Sequence, residues 1–206
     1  MQSLVTLALI AVTVLVSWRA FNDRRVVDRL ILWPPAIARQ REYWRLLTHG
    51  FLHADFPHLL FNMVTLFFFG RLIERLMLQL TGSPLTFLLF YLSAIVVAIL
   101  PSYLKNQKNP NYLSLGASGA VSAVLFAFIL ISPWSLIFVF FIPAPAILYG
   151  VFYVGYSIWM DKRGGDNVNH SAHLAGAAFG VMFMLFMEPQ VLQVFLEQLM
   201  NPRFGR

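Results

Sequence analysis

The chain has 206 residues, of which 59% are hydrophobic and only 12% charged, with a formal net charge of +6. Soluble domains are about 45–50% apolar and about 25% charged, so the composition argues against an ordinary soluble enzyme and for a polytopic membrane protein. The absence of cysteine excludes disulfides and thiolate metal sites. The positive balance, with no basic run interleaved with aromatics, suits anionic lipid head groups and not nucleic acid.

Residues 4–18 form the first apolar stretch. It has no basic segment before it and no small-residue cleavage site after it, so it reads as a transmembrane helix and not a signal peptide. Residues 19–57 are the longest polar stretch, yet they contain Leu30-Ile31-Leu32-Trp33, Pro34-Pro35 and Trp44-Arg45. Tryptophan beside arginine belongs at a membrane–water interface, so this first loop is expected to be compact and partly embedded. A second span is predicted over 58–76, entered by His53, His58 and Asn62 and left through Gly70 and Glu74. Residues 85–100 are a plain third span, and 115–131 a fourth. A fifth is predicted over 134–159, with Pro143 and Pro145 inside it, where they would loosen the helix. The sixth is 171–187. With no internal repeat and no long polar linker, the pattern predicts one all-α membrane domain over 1–206, without a soluble accessory domain.

Two stretches carry possible chemistry. Gly116-Ala117-Ser118-Gly119 opens the fourth span, and small residues at 116, 120, 123 and 127 allow another backbone to come close. A serine at a helix start also has unbonded backbone N–H groups beside it, able to hold an oxyanion. The second stretch, from Ala172, places Gly176 and Gly180 at one-turn spacing directly after His173. If these two small faces pack together, an imidazole meets a serine hydroxyl, the minimum for base-activated attack. His58 and Asn62 share a helix face at a depth where polar side chains must face protein or water. A zinc peptidase is disfavoured, since His-Glu-x-x-His is absent and His49 and His53 lack a third ligand.

Taken together, the order and spacing of these residues resemble the rhomboid family of intramembrane serine proteases, over roughly Glu42 to Gly180. The resemblance rests on Trp44-Arg45, His53, His58, Asn62, Gly70, Glu74, Gly116-Ala117-Ser118-Gly119 and the Ala-His-x-x-Gly-x-x-x-Gly run ending at Gly180. It implies six transmembrane helices and a serine endopeptidase that cuts transmembrane protein substrates near the membrane surface, with no cofactor or metal. It makes Ser118 the nucleophile and His173 the base. His58, Asn62 and the Ser118 N–H would form the oxyanion hole. His49 and His53 would pin the first loop. The loosened fifth helix would move to admit substrate, with gate aromatics among Phe152, Tyr153, Tyr156 and Trp159. Many members carry a tyrosine four residues after the nucleophile, stacked on the base; here that position is Ser122. The implied location is a bacterial inner membrane with the site on the extracytoplasmic side. Most Lys and Arg then fall outside, against the positive-inside rule. The rival readings are a rhomboid-like protein that only binds membrane helices, and a histidine-lined transporter.

Overall fold

In a bilayer, uncharged runs of Leu, Val, Ile and Phe find no water for their backbone, and a helix bonds every N–H and C=O within its own segment. The chain obeys this nearly throughout. The computed structural model describes residues 3–139 and 141–202; the outermost ends of the expected 1–206 domain and Phe140 of the expected fifth span lie outside the described residues.

Helix α1 is Leu4–Asn22. The first loop holds three short helices, α2 (Arg24–Leu30), α3 (Pro34–Gln40) and α4 (Arg45–Thr48). Next come α5 (Phe56–Thr65), a π-helical turn (Leu66–Gly70) and α6 (Arg71–Thr81), which together make one continuous run. Helix α7 is Leu85–Asn106 and α8 is Ser118–Ile131. An antiparallel hairpin, β1 (Leu136–Val139) and β2 (Ile142–Pro145), precedes α9 (Ala146–Arg163). Helix α10 is His170–Met187 and α11 is Gln190–Met200. Among the described residues four helices are long and apolar enough to cross a membrane: α1, the run Phe56–Thr81, α7 and α10.

Three expectations are corrected. The segment 134–159 is not one helix: its first part is the hairpin, and α9 starts only at Ala146. Pro143 and Pro145 therefore lie in β2, in a two-stranded sheet where a missing N–H can face outward, and not inside the helix. The idea of a proline-loosened fifth helix falls with this. The second span extends to Thr81 and the third to Asn106, each beyond its predicted end. Finally, α11 was not anticipated.

Helix α8 is the centre of the molecule, buried from Gly119 to Leu125 between α7 and α10. Its contact with α10 is backbone against backbone. A Cβ added at Gly176 would stand 2.0 Å from the Gly119 carbonyl oxygen, and one at Gly180 2.1 Å from that of Ala123. At the far end of the bundle, Glu74 accepts bonds from the N–H groups of Val5 and Thr6 at 3.0 and 2.8 Å and from the Thr6 hydroxyl at 2.6 Å. A carboxylate on a helix N-terminus satisfies orphan donors and suits the helix dipole, so Glu74 fixes α1 to α6. Gly70 lies just before it, where a Cβ would meet the Leu66 side chain at 2.8 Å and Thr6 at 3.1 Å.

Because no side chain can yield at Gly176, Gly176→Ala must push α8 and α10 apart. It should cost at least the upper end of the roughly 1–3 kcal/mol typical of overpacking. Thermal unfolding in detergent would register this as a lowered Tm; an unchanged Tm would mean the helices are not in backbone contact.

Candidate active site

The site begins with how α8 is started. Leu32 and Ser114 exchange backbone bonds at 3.0 and 3.2 Å, and the Gly116 N–H donates to the His49 carbonyl at 3.0 Å. The first loop thus holds the strand of chain that delivers Ser118 to the first position of α8. Gly116 has φ +122°, and a Cβ there would lie 2.8 Å from His58 Cε1 and 3.8 Å from Ser118 Oγ. Only glycine serves, both for its backbone angle and for the space it leaves between His58 and Ser118.

Asn169 starts α10. Its side-chain oxygen accepts from the Ala172 N–H at 3.0 Å and from the Ser102 hydroxyl at 2.9 Å. Its amide donates to the Tyr112 hydroxyl at 3.0 Å and to Ser114 Oγ at 3.2 Å. One cap residue therefore ties α10 to α7 and to the segment leading into α8. With the helices held in this way, His173 Nε2 lies 2.8 Å from Ser118 Oγ.

The His173 ring is flanked on two further sides. Tyr153 of α9 stacks on the His173 ring, with centroids 5.9 Å apart and planes 24° apart, and its hydroxyl lies 2.5 Å from Ser122 Oγ. The position where the resemblance leads one to expect a tyrosine thus bonds a tyrosine supplied by another helix. His170 stands edge-on to His173 at 5.9 Å, and its Nε2 is 3.1 Å from Asp166 Oδ2. Asp166 therefore reaches the His170 imidazole and not that of His173. The His-x-x-His spacing of 170 and 173 was readable as one helix face; Tyr153 and Asn169 carried no comparable signal.

Across from His173, the Asp55 side chain caps α5 by accepting from the His58 N–H at 2.7 Å. Asn62, buried one turn deeper, donates one amide N–H to the His58 carbonyl at 2.9 Å and has a second N–H left. His53 packs edge-to-face on His58 at 4.9 Å. Ser17 gives its hydroxyl proton to the Phe51 carbonyl, so at 2.9 Å it accepts from His53 Nδ1. His49 Nδ1 lies 3.0 Å from the Arg45 carbonyl. Arg45 pairs with Glu42 and donates to the carbonyls of Asp28 and Ile31, both at 2.8 Å, while the Trp44 indole N–H reaches the Arg29 carbonyl at 3.4 Å. Thus Ser118, His173, His58 and Gly116 converge with Asn62 just below. His49 and His53 stand behind them, and Gly119, Gly176 and Gly180 form the helix contact underneath. Trp44 and Arg45 organise the first loop, and Gly70 and Glu74 lie at the opposite end of the bundle.

Burial pulls the pKa of His49 from 6.5 down to about 4. Burial, then repulsion from His58, takes His53 down to about 3. In the unfolded chain both would protonate near 6.5, while in the fold they stay neutral. Stability is therefore complete above that value and is lost as pH falls from 6.5 toward 4 and 3. We expect the Tm to be flat above about pH 7 and to decline between pH 6.5 and about 5, where histidine is the side chain whose ordinary titration falls. A Tm constant across that window would contradict the burial of these rings as neutral groups.

A family model described as the Rhomboid domain matches residues 40–190. RHOMBOID-like protein 12, mitochondrial, of Arabidopsis thaliana is 36% identical over 180 residues, covering 80% of this chain and 52% of the relative. Rhomboid protease GlpG of Haemophilus influenzae is 31% identical over 128 residues, 60% of each chain. Rhomboid protease GluP of Bacillus subtilis is 36% identical over 97 residues, 47% of this chain and 17% of the relative. The chain thus spans about half the length of the mitochondrial relative. With mitochondrial and bacterial proteins both among the relatives, the expected bacterial inner membrane gains no support; an integral membrane protein is what stands. The chain belongs to the rhomboid family.

Proposed function

We propose that this protein is an intramembrane serine endopeptidase that cuts transmembrane proteins near the membrane surface with a Ser118–His173 dyad. The observation that carries the proposal is the 2.8 Å separation of Ser118 Oγ and His173 Nε2 at the starts of two helices in backbone contact. The names of GlpG and GluP as rhomboid proteases support it. In this reading the chain crosses the bilayer six times. The short α8, about 21 Å long at 1.5 Å per residue, is sheltered inside the bundle, and α9 is the fifth span.

His173 takes the Ser118 proton as Oγ attacks the scissile carbonyl, and returns it to the leaving amine. Water, activated by the same imidazole, then releases the acyl group. The negative oxygen of each tetrahedral intermediate forms beside the Ser118 N–H, the His58 ring and the free N–H of Asn62. Donors already in place for developing charge are worth most in such a partly dry site. Among the described residues no carboxylate bonds His173; Tyr153, stacked on it and bonded to Ser122, does the orienting. Tyr153 belongs to α9, whose Phe152 is 70% exposed and whose buried residues are few. A displacement of α9 that admitted substrate would therefore also release one support of the base. A protein that only bound membrane helices would need neither the Oγ–Nε2 bond nor the glycine gap at Gly116.

Cleavage of a transmembrane substrate by purified protein tests this. Ser118→Ala and His173→Ala should abolish turnover without loss of fold. Asn62→Ala should lower it by roughly 100- to 1,000-fold, as loss of one oxyanion donor does. Tyr153→Phe, which keeps the ring, should retain more activity than Tyr153→Ala, with the loss in kcat and not KM. Substantial turnover by Ser118→Ala would refute the nucleophile.

A further inference from the structure

At the end of the bundle away from Ser118, α5 and α6 form one wall of a groove of about 650 Å³ whose other wall is α8 and the hairpin. Val64, Phe68, Phe128 and Ile137 make it apolar, and Arg71 and Arg75, one turn apart, are its cations. The Arg71 guanidinium lies over the Phe67 ring at 4.8 Å, but its Nε is buried and has no hydrogen-bond partner. Stacking satisfies the face of a guanidinium and leaves that N–H unpaired, a costly state for a buried charged donor. Glu74, the acidic residue of α6, is already committed to Val5 and Thr6. Among the described residues no carboxylate pairs with Arg71 or Arg75.

From this we infer a binding site for one anionic phospholipid: its phosphate on Arg71 and Arg75, one acyl chain in the groove. Guanidinium matches phosphate oxygens with paired, charge-assisted bonds, and the buried Nε–H is a donor that such an oxygen would satisfy. The volume lies in the range of well-formed ligand sites, and the apolar lining suits a hydrocarbon chain. The site's depth fits as well. The Ser3 hydroxyl donates to the Arg71 carbonyl, so Arg71 is level with the start of α1, where a head group of the leaflet opposite the Ser118 end would lie. The inference is independent of whether Ser118 is a nucleophile.

Native mass spectrometry of the whole protein, released from neutral detergent with equimolar phosphatidylglycerol and phosphatidylcholine, provides the test. One phosphatidylglycerol should be retained in preference, on the order of 10- to 30-fold for two arginines. Arg71→Gln with Arg75→Gln should abolish the preference, and Arg19→Gln with Arg24→Gln, on exposed residues at the other end, should preserve it. Val64→Trp, which fills the groove at an exposed position, should reduce retention of the lipid, and excess inorganic phosphate should not displace it. Equal retention of the two lipids, an undiminished preference in the double arginine variant, undiminished retention in Val64→Trp, or displacement by inorganic phosphate would each overturn the site.

Discussion

The contact of α8 with α10 sets the one distance on which any chemistry here depends. Gly119 and Ala123 present carbonyl oxygens to Gly176 and Gly180 with no side chain between. In a membrane, apolar side chains gain little by leaving lipid for one another, and close backbone approach is what makes helix association favourable. Two helices this close have little freedom to slide. Ser118 at the start of one and His173 near the start of the other therefore keep their separation. Asn169 completes the arrangement by capping α10 with one end of its side chain and bonding Ser114 with the other.

Around that contact the polar groups form a layered support. The first loop, whose carbonyls are gathered by Arg45, positions His49, and the His49 carbonyl holds Gly116. His53 braces His58 from behind with its own Nδ1 bonded to Ser17 of α1. A soluble hydrolase with a serine and histidine normally adds a carboxylate to orient the base. Here the His173 ring is instead stacked by Tyr153 of α9, and Asp166 bonds His170. A buried carboxylate at this depth would carry a desolvation cost that a tyrosine ring avoids.

Much of this was legible in the sequence, for physical reasons. Hydropathy over long windows marks α1, the run Phe56–Thr81, α7 and α10, because the bilayer demands such runs. Small residues at one-turn spacing marked both partners of the α8–α10 contact. The hairpin was not legible: an apolar stretch such as Leu136–Val139 has the same character whether it is strand or buried helix. Nor was the role of Tyr153, since periodicity orders residues around one helix and cannot say which face of another helix comes to meet it. Asn169 looked like part of an ordinary polar loop, and three of its four side-chain bonds, to Ser102, Tyr112 and Ser114, reach parts of the chain far away in sequence.

The most direct measurement of the central claim is covalent labelling of purified protein with a fluorophosphonate, followed by peptide mapping of the adduct. An activated serine is the one hydroxyl that should react. The account predicts a single adduct on Ser118 that disappears in His173→Ala. No adduct, or an adduct on Ser118 undiminished without His173, would contradict it.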